Sequence, residues 1–96
     1  MTYSLRRTRD GAGDSGQMSE ALMTEDGQFV FGENGYPKDI GPRPQVGCCM
    51  KVGSHYARTY HHQDWWLTTP ITEILEEREN YVRFKTGNSE YVWEIL

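Results

Sequence analysis

YVRFKTGNSEYVWEI, residues 81–95, decides how the rest of the chain is read. Two alternating runs flank Gly87-Asn88, a dipeptide able to supply the positive φ values that two-residue hairpin turns use. With Thr86 set opposite Ser89, Lys85 faces Glu90, Phe84 faces Tyr91, Arg83 faces Val92, Val82 faces Trp93 and Tyr81 faces Glu94. Side chains alternate across a strand, so Val82, Phe84, Tyr91, Trp93 and Ile95 share one face while Tyr81, Arg83, Lys85, Glu90 and Glu94 share the other. Both strands therefore choose the same apolar face. A slip of one residue would turn Phe84 and Trp93 toward the polar side and break the Lys85–Glu90 pair, a loss of ~0.2–1 kcal/mol.

Upstream, WLTTPITEILEE resumes strand character after a long loop, with Pro70 at its start, where a missing N–H is tolerated. Arg78-Glu79-Asn80 then links it to Tyr81 as a three-residue loop, with Asn80 in the left-handed position such hairpins use. The imperfect alternation of ITEILEE points to a bulge. VGCCMKVG, residues 46–53, reads as the strand that opens the compact unit, with Cys48, Met50 and Val52 on one side and Cys49 and Lys51 on the other. The fold expected is all-β: a small antiparallel barrel or strongly bent sheet of four or five strands over residues 45–96, ending in a three-stranded meander. In the order and spacing of its elements this unit resembles SH3-like and Tudor-like small barrels, a resemblance that implies architecture and no function.

The first half of the chain offers less to bury. Residues 1–27 contain no Trp, Phe, Ile or Val, whereas residues 45–96 hold all three Trp. Residues 1–26 accordingly read as a mobile tail, with a short helical turn at 18–27 capped by Ser19 and closed by Gly27. Residues 27–44 read as an extended connector with a short strand in GQFVFG at 27–32. Three of the four prolines and four glycines fall between residues 32 and 47, which disfavours helix there.

At 96 residues the chain is one domain at most, and its net charge of −4 is shared evenly, each half carrying five Lys or Arg against seven Asp or Glu. That balance weighs against non-specific duplex DNA binding, which rests on a basic excess. The arginines of the N-terminus are followed by no apolar run, so the segment reads neither as a signal peptide nor as a membrane span. Cys48 and Cys49 are adjacent, and neighbours in a strand diverge, so both read as free thiols in a reducing cytoplasm. Neither GENG nor GAGDSG has the strand-then-helix setting of a phosphate cradle, and both read as loops.

Residues 53–66, GSHYARTYHHQDWW, are the chemically densest stretch, and a polar-aromatic loop between strands is where small barrels place recognition. The leading expectation is a non-catalytic module that contacts another protein through Tyr56, Arg58, Tyr60, His61, His62 and Trp65. Size and acidity fit a small inhibitor or regulator of the kind phages and mobile elements encode. Adjacent residues of an extended segment face opposite sides, so one of Trp65 and Trp66 packs inward, with Trp66 the choice because it leads into the strand. A second reading is single-stranded nucleic-acid binding through Arg6, Arg7, Arg9 and Arg58, with Trp and Tyr stacking on bases. The third is a Cys/His protein. Cys48, Cys49, His55, His61 and His62 lack the paired spacing of structural zinc sites, and a thiol nucleophile with a His oriented by Asp64 has no oxyanion-loop motif beside it. No enzyme activity, metal or cofactor is expected.

Overall fold

The computed structural model describes residues 1–54 and 65–96, which form nine β-strands and no helix. They are β1 (Tyr3–Arg7), β2 (Gly13–Gly16), β3 (Met18–Glu25), β4 (Gln28–Phe29), β5 (Cys48–Gly53), β6 (Trp65–Leu67), β7 (Ile71–Arg78), β8 (Tyr81–Thr86) and β9 (Glu90–Ile95). Two antiparallel sheets result, a five-stranded one in the order β2-β1-β9-β8-β7 and a four-stranded one in the order β4-β3-β5-β6, with one strongly curled half-barrel.

The β8–β9 register is the one the alternating pattern requires, from Lys85 opposite Glu90 to Tyr81 opposite Glu94. Its inward side chains Val82, Phe84, Tyr91 and Trp93 are all buried. The Phe84 and Tyr91 rings stack at 5.5 Å between centroids. The turn is made differently from the expectation, since neither Gly87 nor Asn88 adopts positive φ. Thr86 closes it instead. Its Oγ1 accepts the N–H groups of Asn88 (3.3 Å) and Ser89 (3.2 Å), and its own N–H donates to the Ser89 carbonyl at 2.8 Å. A hydroxyl side chain can thus stand in for the backbone conformation that a glycine would supply.

The β7–β8 connection also departs from the expected three-residue loop. Arg78 pairs with Tyr81, leaving only Glu79 and Asn80 in the turn, and Asn80 is not left-handed. The irregularity anticipated in ITEILEE appears as register shifts between Ile71 and Glu73 and between Ile74 and Glu76. Bulges on an outer strand twist its free edge away from foreign pairing.

The largest correction concerns residues 1–26, which are strands of both sheets and not a tail. β1 pairs with β9 from Tyr3 opposite Ile95 to Arg7 opposite Tyr91, so it fills the second edge of the C-terminal strand. Composition concealed this because β1 contributes one fully buried apolar side chain, Leu5, and the partly buried Tyr3 among polar neighbours. The expected helical turn is strand β3, paired with β5 from Met18 opposite Gly53 to Met23 opposite Cys48. A helix so short is marginal alone, whereas pairing with β5 satisfies the backbone and buries Met18, Ala21 and Leu22. Ser19 is no helix cap. Its Oγ accepts the Trp93 Nε1–H at 3.0 Å and donates to the Pro42 carbonyl at 2.7 Å, satisfying the indole of a fully buried Trp.

The core therefore draws on both halves of the chain, with Leu5, Ala21, Met50, Val52, Ile71, Val82, Phe84 and Trp93 in one cluster. At Gly16 and Gly53 the backbones of β2 and β5 approach so closely that a Cβ on Gly16 would strike the Gly53 carbonyl. Gly47, at φ +88°, donates its N–H to Ile71 at 2.9 Å while its carbonyl accepts from Thr24 at 3.1 Å, bridging the two sheets. The connector is held by Arg43, whose guanidinium bonds the Glu77 carboxylate at 2.7 Å, the Glu79 carbonyl at 2.6 Å and the Arg78 carbonyl, and lies 5.8 Å from the Trp93 ring centroid.

Candidate functional site

Of the residues expected to form a recognition loop, Tyr56, Arg58, Tyr60, His61 and His62 lie outside the described residues, as do His55 and Asp64. Trp65 begins β6, where it stands opposite Gly53 and is half-buried, with the Lys51 Nζ 4.5 Å from its ring centroid. Trp66 packs against the core, donates its Nε1–H to the Tyr91 hydroxyl at 3.3 Å and lies 5.2 Å from the Arg7 guanidinium carbon. The pair therefore divides as extended backbone requires, one ring turned to the core and the other set against a lysine.

The N-terminal arginines are not an arm. Arg6 donates to the Ser15 hydroxyl at 3.0 Å across the β1–β2 pair. Arg7 forks onto Asp10 at 3.0 and 2.7 Å. That fork, helped by the Ala12 N–H, holds the Asp10 carboxyl down at about 2. Both cysteines are buried and unpaired to each other, and burial pushes their thiols up, which disfavours the thiolate that nucleophilic or ligand chemistry requires. Among the described residues no group of His, Cys, Asp and Glu is arranged to hold a metal ion.

Sequence reading missed a different surface, the arm that leaves β4 and returns along β3. Phe31 bridges Pro37, and the Gly32 N–H donates to the Tyr36 carbonyl at 2.9 Å, so residues 31–37 form a small hairpin tip. Farther along, Met23 donates to the Lys38 carbonyl and Ile40 to the Ala21 carbonyl, which lays the returning segment on the outer edge of β3. This arm carries Phe31, Tyr36 and Ile40 exposed at 61%, 70% and 36%. Two open grooves run beside it and share Asp39. One, of about 490 Å³, is lined in part by Tyr3, Ser19, Glu20 and Pro42, and the other, of about 470 Å³, by Glu33, Asn34 and Pro37. The sequence signal was available in GENGYP, a turn cluster with an aromatic residue inside it, but the polar neighbours gave no reason to place that ring in solvent. Comparison with protein-family models, curated proteins and solved structures gives no match. The functional reading thus rests on the chain's own geometry.

Chemically, the arm and its grooves offer aromatic area, carboxylates, one lysine (Lys38) and backbone groups. Among the described residues they offer no thiol, no histidine and no arginine. Such a surface suits recognition.

Proposed function

We propose that this chain is a non-catalytic module that binds another protein, as a small inhibitor or regulator would. The observation that carries this reading is the exposure of Phe31, Tyr36 and Ile40 within ten residues of one arm while the core closes beneath them without their help. Single exposed apolar residues are ordinary, but aromatic side chains gathered on one exposed element are the kind that anchor interfaces. Trp65, at the end of the 54–66 segment, supplies a second aromatic group on the neighbouring strand pair.

Site-specific photocrosslinking tests it. A benzophenone amino acid placed at position 36 or 65 should give an adduct of discrete mass in a lysate of the source cells, and the same probe at Lys85, on the outer face of the five-stranded sheet, should give none. Absence of any protein adduct from both 36 and 65 would overturn the reading. Crosslinking to nucleic acid in place of protein would transfer the assignment to the single-strand class.

A further inference from the structure

The arm, together with strand β3 on which it lies and the β3–β4 turn, is also where the net charge of the chain resides. Residues 20–40 hold five acidic residues, Glu20, Glu25, Asp26, Glu33 and Asp39, against Lys38 alone, so they carry the whole net charge of −4, and nine acids balance nine bases elsewhere. Elsewhere several of the charges are paired in space. Arg7 meets Asp10, Arg43 meets Glu77, Arg78 meets Glu76, and Arg83 lies between Glu76 and Glu90. Among the described residues none of these five carboxylates takes part in an ion pair. Three of them, Glu20, Asp39 and Glu33, line the two grooves that meet at Asp39, against the single cation Lys38 in the second groove.

From this we infer that the arm, Phe31 to Ile40, docks a cationic segment of a partner protein, with arginine or lysine side chains set against Glu20, Glu33 and Asp39 and an apolar side chain set against the exposed Tyr36 or Phe31. The inference rests on the protein-binding reading and names its partner's chemistry. Charge decides between occupants. A net acidic field, three carboxylates against one lysine, repels phosphate backbones and acidic peptides, and it attracts and orients a basic segment, whereas the exposed rings supply the area that charge alone does not. A second copy of this chain would bring the same negative arm to the interface and is disfavoured for that reason.

The test uses the full chain and defined probes: a short fluorescein-labelled peptide alternating arginine and leucine, its glutamate-leucine counterpart, and an oligothymidylate, each followed by fluorescence anisotropy. The arginine peptide should bind and the other two should not. Its affinity should fall several-fold when salt is raised from about 50 to about 300 mM, because the screening length shortens. The double variant Glu33→Gln, Asp39→Asn keeps the oxygen that accepts the Gly41 N–H. It should weaken binding about tenfold or more, as expected when two facing charges are lost. A matched neutralisation of exposed carboxylates on the other sheet, Glu73→Gln with Glu79→Gln, should leave affinity unchanged. Equal binding of the glutamate peptide, or equal losses from the two double variants, would overturn the inference, the second result showing mere attraction to a negative protein. If position 36 crosslinks to a protein and the arginine peptide does not bind, the partner is not cationic and the protein-binding reading survives. If the peptide binds at the arm and no cellular adduct forms, it is the reading of function that falls.

Discussion

Trp93 illustrates how much one side chain carries in this molecule. It is fully buried, stacks with Tyr3 at 5.8 Å, donates its indole N–H to Ser19 and lies beneath the Arg43 guanidinium, so β1, β3 and the connector all meet on one ring. Trp93→Ala or Phe84→Ala should cost ~3–5 kcal/mol, a large part of the ~5–15 kcal/mol that ordinary domains possess. Chemical denaturation followed by circular dichroism measures it, and an unchanged midpoint for Phe84→Ala would contradict the core described. The inward placement of both rings was legible in the alternation of residues 81–95, because strand periodicity and burial are locally coupled. Their partners were not, because Tyr3, Ser19 and Arg43 are brought to the ring by pairing across most of the chain length. Titration offers a second check at this scale. Asp10 is held at about 2 by the Arg7 fork and the Ala12 N–H, below its ordinary value of 3.8. A depressed carboxyl stabilises the fold above its unfolded pKa and loses that contribution as pH falls from about 4 through about 2. Acid unfolding of Asp10→Asn should therefore show a smaller drop in melting temperature across that window than the parent protein, the two converging at the acid end.

At the scale of elements, strands were read well where they alternate and poorly where they are polar. β8, β9 and β5 were legible, and the Leu5 strand and the GDSG strand were not, since a strand edged by Arg, Ser and Gly looks like a loop until its neighbours are known. Gly16 shows why. Its lack of a side chain, which reads as flexibility, is what lets β2 pass against β5 at Gly53. Gly16→Ala should cost ~1–3 kcal/mol, the usual range for a forced overlap, even though its backbone is not in the left-handed region. The connector depends in the same way on one fork. Arg43→Lys keeps the charge and loses the geometry that reaches one carboxylate and two carbonyls together, so a stability loss of ~1–3 kcal/mol is expected. A loss no larger in Arg43→Ala than in Arg43→Lys would identify the fork as the whole contribution, and no loss in either would show that Arg43 does not hold the connector. The exposed arm was the least legible feature. Exposure of Phe31 and Tyr36 follows from the arm lying outside the core, a tertiary fact that the local turn signal in GENGYP does not decide.

For the whole molecule, the decisive feature is that the two ends of the chain pair with each other. β1 lies between β2 and β9 in the five-stranded sheet, and the Leu96 N–H donates to the Thr2 carbonyl at 2.8 Å, so the meander has no complete sheet without the first seven residues. A fragment of residues 45–96 would expose the outer edge of β9 and strip Leu5, Ala21, Tyr3 and Ser19 from around Trp93 and its neighbours. About fifty residues are already close to the lower size for independent folding, and here they would lack part of their core. The fragment should therefore show no near-ultraviolet circular dichroism and no cooperative melt, while the full chain shows both. Hydrogen exchange makes the same point in the intact protein. Strands that unfold only with the whole molecule share its opening free energy, so the β1 amides should exchange as slowly as those of β9, and Leu5→Ala should accelerate both sets by the same factor. A destabilisation of ~2–5 kcal/mol is expected for that substitution. Fast exchange in β1 beside slow exchange in β9, or a cooperative melt of the 45–96 fragment, would show that the C-terminal half is a domain to itself and that β1 only docks on it.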